Sequence, residues 1–301
     1  MKHVVVFFNA PGFDDYPFDE KDYRESYPEL GEWIEQKGGQ LFIARSMETY
    51  LGNSSFSRGW KYEQRGFVPM SSPVQADVIW NRGDFVGEAD CDVVNNPELG
   101  EICANKWKTY KMFPELHPKT FFVNDAKDLE AALESLGSSQ IVAKPVDSEG
   151  GKGVYIGSVD EVRPNVESYP YLIQEFIDTS GGIEGIARSV HDFRIVAIRG
   201  EAVLSYIREP KKGSLIANES RGGVITEVPI PRIPLAAMEV LRIVERTLAR
   251  FEKRIYSLDM GLDRDGRWKI IEMNSQPGLD PSPKYEGAGR YIEKMAEMLM
   301  E

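Results

Sequence analysis

Apolar positions in this chain fall into two rhythms, short uninterrupted runs and helical repeats, and their alternation predicts a mixed α/β protein. Residues 3 to 9 form an apolar run of strand length, the stretch from about 28 to 38 is apolar at helical spacing, and Gln40–Ala44 is a second strand. A third strand, Asp77–Trp80, ends in Asn81, Arg82 and Gly83. This strand and helix order is that of an α/β unit. Phe13–Tyr27 mixes Asp, Glu, Tyr and Phe without a period, so it reads as a long surface loop with an optional share in substrate binding.

Further along, Ser139–Val146 is a short apolar strand carrying one lysine, Lys144, and it runs into a loop with Gly150, Gly151 and Gly153. Tyr171–Asp178 is a strand ending on Glu175, followed by Phe176 and Ile177. Tyr256–Met260 and Ile270–Asn274 read as adjacent strands joined through Asp263–Gly266, which has good turn chemistry. Helical repeats cover Ala126–Ser135, Leu235–Phe251 and Tyr291–Met300.

Candidate chemistry gathers in the last hairpin. Glu272 and Asn274 are two residues apart, so they share one face of a strand, and the turn brings Asp259, 13 residues before Glu272, back toward them. Asp, Glu and Asn oxygens suit Mg²⁺ or Mn²⁺. A hairpin with a polar face would show the same pattern. The glycines at 150, 151 and 153 would let bare backbone N–H groups approach phosphate oxygens, with Lys144 as a point charge beneath them. An ordinary glycine-rich turn is the alternative, since neither the P-loop ending nor the dinucleotide pattern is present. The segment Gln174–Ile177 could offer backbone groups to an adenine edge, or be a plain core strand.

The order of these pieces resembles the ATP-grasp superfamily and its carboxylate–amine ligases. It comes nearest to the branch holding glutathione synthetase and the enzyme that adds glutamate to a small-subunit ribosomal protein. The resemblance covers roughly residues 90 to 285. Lys106 stands in a segment similar to the one whose first lysine reaches the nucleotide phosphates. Lys144 with Gly150, Gly151 and Gly153 is similar to the second phosphate lysine and its lid, and Glu175, Phe176 and Ile177 to the adenine hinge. The segment His191–Arg194 is similar to the family's Asp-Ile-Arg, which makes Asp192 a nucleotide contact. Arg208 follows Asp192 by 16 residues and Asn218 follows Arg208 by ten, as in the family. Asp259, Glu272 and Asn274 match the family's metal ligands. One position departs: the arginine that the glutamate-adding branch carries two residues before the asparagine is Ile216 here, with Lys211 and Lys212 nearby.

The resemblance implies an α/β and α+β chain with an ATP-grasp fold, two lobes sandwiching ATP, behind a Rossmann-like N-terminal domain. The expected division is 1–104 for that domain, 105–180 for the small lobe and 181–301 for the large lobe with the metal site. The implied reaction is ATP-dependent joining of a carboxylate to an amine through an acyl phosphate, with two Mg²⁺ or Mn²⁺ ions, Lys106 and Lys144 on the phosphates and Arg208 at the transferring group. Substrates would be a small-molecule carboxylate and amine, or a peptide. A small-molecule kinase on the same fold, with Asp147 or Asp178 as base, and an ATP-binding module without turnover are the alternatives.

Composition sets limits on partners. At 301 residues the chain should divide into about two or three units. A net charge of −12 argues against nucleic acid. Three histidines, and no Gly-X-Ser-X-Gly motif, leave little material for a protein nucleophile. Cys91 and Cys103 sit in no metal spacing and are expected in the core of a protein from a reducing compartment. With no apolar run of about 18 residues and no signal-peptide pattern, the expectation is cytoplasmic, off the membrane, with a homo-oligomer left open. Arg82, Arg194, Ser275 and Gln276 are further candidates for substrate carboxylate or amide contacts.

Overall fold

The computed structural model describes residues 1–148, 150–166, 168–211, 213–215 and 223–301. Asn218, Ile216 and Lys212, singled out from the sequence, lie outside the described residues.

The N-terminal third comprises β1 (Lys2–Phe8), α1 (Lys21–Gln36), β2 (Gly39–Arg45), β3 (Tyr50–Gly52), β4 (Ser55–Phe56), β5 (Trp60–Glu63), β6 (Gly66–Pro69), β7 (Val74–Gln75), β8 (Val78–Asn81) and β9 (Asp92–Val94). Its main sheet has the order β6-β5-β2-β1-β8-β9, with β1 parallel to β2 and β8, and β8 parallel to β9. The shorter β3, β4 and β7 form a sheet of their own.

The segment Phe13–Tyr27 corrects the sequence reading. Only Phe13–Glu20 is a largely exposed loop: α1 begins at Lys21, and Phe18 and Tyr27 are buried in the core beneath β1. Tyr23, Tyr27, Leu30 and Ile34 recur at spacings of four, three and four, which makes one apolar helix face. Pro28 inside the helix hides that period, because proline reads as a helix start. The preceding turn is pinned by the buried Arg45, whose guanidinium donates to the carbonyls of Phe13, Asp15 and Tyr16 at 2.8, 2.8 and 2.9 Å.

Next come α2 (Pro97–Ala104), α3 (Lys106–Met112), β10 (Thr120–Val123), α4 (Ala126–Leu136), β11 (Ile141–Pro145), β12 (Tyr155–Gly157), α5 (Val159–Val162) and β13 (Tyr171–Glu175). The strands form an antiparallel sheet in the order β10-β13-β11-β12. Helix α4 is capped by Asp125, which accepts from the Asp128 N–H, and closes on Gly137 at φ 62°. Its Leu129, Leu133 and Leu136 complete a separate apolar core with this sheet.

The last part comprises β14 (Asp192–Ile198), β15 (Glu201–Glu209), β16 (Val224–Glu227), α6 (Leu235–Leu248), β17 (Ile255–Leu262), β18 (Trp268–Asn274) and α7 (Glu286–Met300). The sheet order is β16-β15-β14-β17-β18, antiparallel throughout. One face packs on α6 together with Leu99, Ile102, Cys103 and Phe113, so the segment around Lys106 shares its core with this sheet rather than with the four-stranded one. The other face contributes Val196, Val203 and Leu204 to a core completed by α7, α1 and the N-terminal sheet. Cys103 is buried as expected; Cys91 is only half-buried, at the margin of the aromatic core around Phe7 and Phe85. No helix among the described residues is long and apolar enough to cross a membrane.

Candidate active site

The β17–β18 hairpin closes at Gly266, φ 77°, and its register sets Asp259 directly opposite Glu272. Cross-strand partners share a face, so both carboxylates and Asn274 stand on one side of the sheet. A bulge between Asp259 and Met260 absorbs the irregularity in pairing. The Asn274 carboxamide oxygen accepts from the Gln276 N–H at 2.7 Å, which fixes its orientation. Among the described residues no three His, Cys, Asp or Glu side chains form a metal cluster; the predicted set is two carboxylates and an amide.

Strand pairing also builds a buried charge network. Arg194 lies opposite Asp259 on β14 and grips both its oxygens at 2.5 Å. Arg208 lies opposite Asp192 on β15 and bridges it to Asp259, the latter at 2.6 Å. Burial would push Asp259 up, but Arg194 and Arg208 pull it down to about 2. For Asp192 burial wins over Arg208, with the Asp259 charge adding to it, and the carboxyl rises to about 6. Arg208 therefore does not make the surface pairing with Glu201 or Glu209 that its neighbours would suggest. Glu201 pairs with Arg290 instead.

Two lysines enter from other elements. Lys106 opens α3, where the Asn105 carboxamide accepts from the Lys108 N–H at 3.0 Å. Its ammonium pairs with Glu272 at 3.1 Å and donates to the Ser148 carbonyl. Lys144, on β11, donates to the Ile271 carbonyl across the cleft at 3.0 Å. Burial lowers Lys144 to about 8; Glu272 opposes the shift and Lys106 adds to it. The β11–β12 connection carries Gly150, Gly151 and Gly153, all at positive φ. Gly153 has a further reason to lack a side chain, since a Cβ there would come within 2.8 Å of the Pro145 ring.

These groups line two cavities that meet at Ser148, Asp259 and Glu272. The first is walled by Val142, Ile156, Glu175, Phe176, Ile177 and Ile271, and holds both lysines, Gly151 and Asp192 at its floor and rim. The second, of about 610 Å³, takes Arg194, Arg208, Asn274, Ser275, Gln276 and Gly150 from one side and residues from 81 to 104 of the N-terminal part from the other. Arg82 is not among its lining residues. Its guanidinium donates to the Pro277 carbonyl at 3.0 Å and lies over the Trp80 ring, which corrects its reading as a substrate contact. Asp147 and Asp178 line neither cavity, and Asp178 pairs with Arg264 at 2.8 Å. Sequence reasoning missed Asn95, whose carboxamide donates to the Ile255 and Ser275 carbonyls and accepts from the Ile255 N–H, stitching the N-terminal part to the hairpin. It carried no signal, because the run Asn95-Asn96-Pro97 after a short strand reads as a turn and helix cap equally well.

The cleft fits a nucleotide with divalent cations: an apolar slot opens onto four buried or half-buried cations facing three carboxylates and an amide. Residues 103–299 match the RimK-like ATP-grasp domain. A "Probable alpha-L-glutamate ligase" of Rhodopirellula baltica is 27% identical over 192 residues, 60% of this chain and 43% of its own. The chain spans about half the length of the curated relatives it matches. Among solved structures, the VanG D-Ala:D-Ser ligase from Enterococcus faecalis superposes with a TM-score of 0.67 at 13% identity, covering 99% of both chains. The Chryseobacterium gregarium RiPP-associated ATP-grasp ligase, in complex with ADP and a leader and core peptide, gives 0.65 at 12% identity, over 99% of this chain and 96% of that one. The fold is thus that of the ATP-grasp ligases, and with the family match spanning most of its length this chain belongs to the RimK-like ATP-grasp family.

Proposed function

We propose that this protein is an ATP-dependent ligase that joins a carboxylate to an amine through an acyl phosphate and releases ADP and phosphate. The observation that carries the reading is the junction of the two cavities, where Asp259 and Glu272 face a narrow slot walled by apolar side chains and two lysines on one side and a roomy polar cavity on the other. Residues 1–104, 105–180 and 181–301 serve as N-terminal domain, small lobe and large lobe; a separate sheet in each supports that division, although the segment from Lys106 to Phe113 packs on the large-lobe sheet.

In this reading Glu175, Phe176 and Ile177 border the adenine, Lys106 and Lys144 neutralise phosphate oxygens, and the Gly150–Gly153 loop covers them. Asp192 contacts the nucleotide and keeps Arg208 aimed at the junction. Asn218 is proposed as a further nucleotide contact from the sequence alone. Asp259, Glu272 and Asn274 would hold two Mg²⁺ or Mn²⁺ ions, which would supply charge neutralisation on the phosphates. A substrate carboxylate oxygen bonds to the γ-phosphorus as the bond to ADP breaks. The amine then bonds to the acyl carbon, phosphate leaves with the former carboxylate oxygen, and the amine gives up a proton. Arg208, and Arg194 beside it, offer planar donors to the charge that develops on phosphoryl and acyl oxygens. A carboxylate is already ionised at neutral pH, so the first step needs no base.

A kinase acting on a hydroxyl would need a base at the junction, and the carboxylates considered for it, Asp147 and Asp178, line neither cavity. The test is isotopic. With ¹⁸O in the substrate carboxylate, one labelled oxygen should appear in the released phosphate; unlabelled phosphate, or a stable phosphorylated product, would remove the ligase reading.

A further inference from the structure

Resting on the ligase reading, we propose that Asp84 selects the amine substrate, and that this substrate carries a positive charge beyond the reacting nitrogen rather than the carboxylates of an acidic amino acid. The charges lining the 610 Å³ cavity are sorted by side. The wall shared with the nucleotide slot carries Arg194 and Arg208, and there the electrophilic carboxylate must lie to reach the γ-phosphate. The opposite wall, from the N-terminal part and the start of α2, carries Asp84 and Glu101 among amides and apolar groups, with no lysine or arginine among its described lining residues. An amine attacking the acyl carbon from the open side must leave the rest of its own molecule against that wall.

The two acids are not equivalent. Glu101 is engaged by Lys108, whereas Asp84 has no hydrogen-bond or ion-pair partner among the described residues. The loop that presents it is nevertheless held firmly. The Asn81 carboxamide oxygen accepts from the Gly83 and Phe85 N–H groups at 3.1 and 2.9 Å, and Phe85 is buried edge-on against Phe7 and Tyr50. Asp84 itself sits at φ 54°, where asparagine is as well tolerated as aspartate, so Asp84→Asn removes the charge and keeps the turn. An anionic wall attracts an ammonium or guanidinium tail and repels a carboxylate tail.

The experiment is calorimetric titration of the full chain, loaded with Mg²⁺ and a non-hydrolysable ATP analogue, with 1,4-diaminobutane, n-butylamine and glutamate in turn. The diamine should bind most tightly and glutamate least. In Asp84→Asn the preference for the diamine over butylamine should fall by about two- to fivefold, the scale of an exposed charge pair, with analogue binding and thermal midpoint unchanged. Tighter binding of glutamate than of the diamine, no measurable diamine binding, or an unchanged preference in Asp84→Asn would each overturn the assignment. Failure to bind the nucleotide analogue would instead defeat the ligase reading, so the two are told apart in one set of titrations.

Discussion

The ammonium of Lys106 and the carboxylate of Glu272 stand 3.1 Å apart, joining the first turn of α3 to β18 across the mouth of the nucleotide slot. A group proposed to hold metal and a group proposed to hold phosphate thus neutralise each other until both ligands arrive. Glu272→Gln should therefore lower ADP formation by about a hundredfold or more, the scale of several kcal/mol of lost transition-state stabilisation, while the melting temperature moves little because Glu272 is a third exposed. Initial rates across a Mg²⁺ series would check it. Near-normal turnover at ordinary Mg²⁺ would remove Glu272 from the ligand set.

Arg208 is a different case, because it is buried between two acids. Arg208→Met should cost about 3–5 kcal/mol of stability by stranding buried carboxylate charge. Burial already holds the Asp192 carboxyl above its ordinary value, and losing its cation raises it further. A raised carboxyl favours the fold on the acid side, so the part of the deficit due to Asp192 should shrink as pH falls toward about 6, where the wild-type carboxyl also takes up its proton, and change no further below it. Denaturant titrations of wild type and variant at two pH values would show whether the gap closes.

On the proposed reading, Lys144 should make nucleotide binding pH-dependent. In the free protein it titrates near 8, and phosphate oxygens beside it favour the charged form. Below pH 8 both states hold the proton and affinity should be flat; above it affinity should fall by up to about tenfold per unit, with uptake of one proton on binding. Calorimetry in buffers of differing ionisation enthalpy reads that proton directly. Lys144→Met should bind more weakly and lose the slope, and a slope that survives in the variant would assign the proton elsewhere.

The glycine loop offers a contrast within one turn. Gly150 and Gly153 both have positive φ, but a Cβ at Gly150 meets open space while one at Gly153 meets Pro145. Gly150→Ala should cost about 1 kcal/mol of backbone strain, and Gly153→Ala about 2–3 kcal/mol once the ring must move. Thermal melts of the two variants should rank in that order.

The parts legible in sequence were those whose partners are local. The β17–β18 hairpin, with its turn and its paired carboxylates, spans only the residues from Ile255 to Asn274, so period and turn chemistry sufficed. Helix α4 showed its apolar face through its own spacing, while its caps, Asp125 and Gly137, came from the structure. What stayed hidden depends on pairing between distant strands. Arg194 lines the larger cavity, as a substrate contact would, but its position opposite Asp259 also makes it a clamp, and nothing in a segment 65 residues away declares that register. The aromatic stretch Phe13–Tyr27 looks like loop because Pro28, inside α1, hides the helical spacing of Tyr23 and Tyr27, and because Arg45, which pins the preceding turn, comes from another strand. Lys106 was identified by family resemblance, while its shared core with β17 and β18 is a tertiary fact.

Asn95 and the core beneath α7 bind the N-terminal wall of the larger cavity to the sheet bearing Asp259 and Glu272, whereas the four-stranded sheet bearing Lys144 keeps a core of its own. For a lineage diverging by substitution, this separates two kinds of change. On the proposed ligase reading, alterations around Asn81–Val86 would retune which amine is accepted without disturbing Lys144 or the glycine loop, so new acceptors could be explored while the proposed nucleotide machinery is inherited intact.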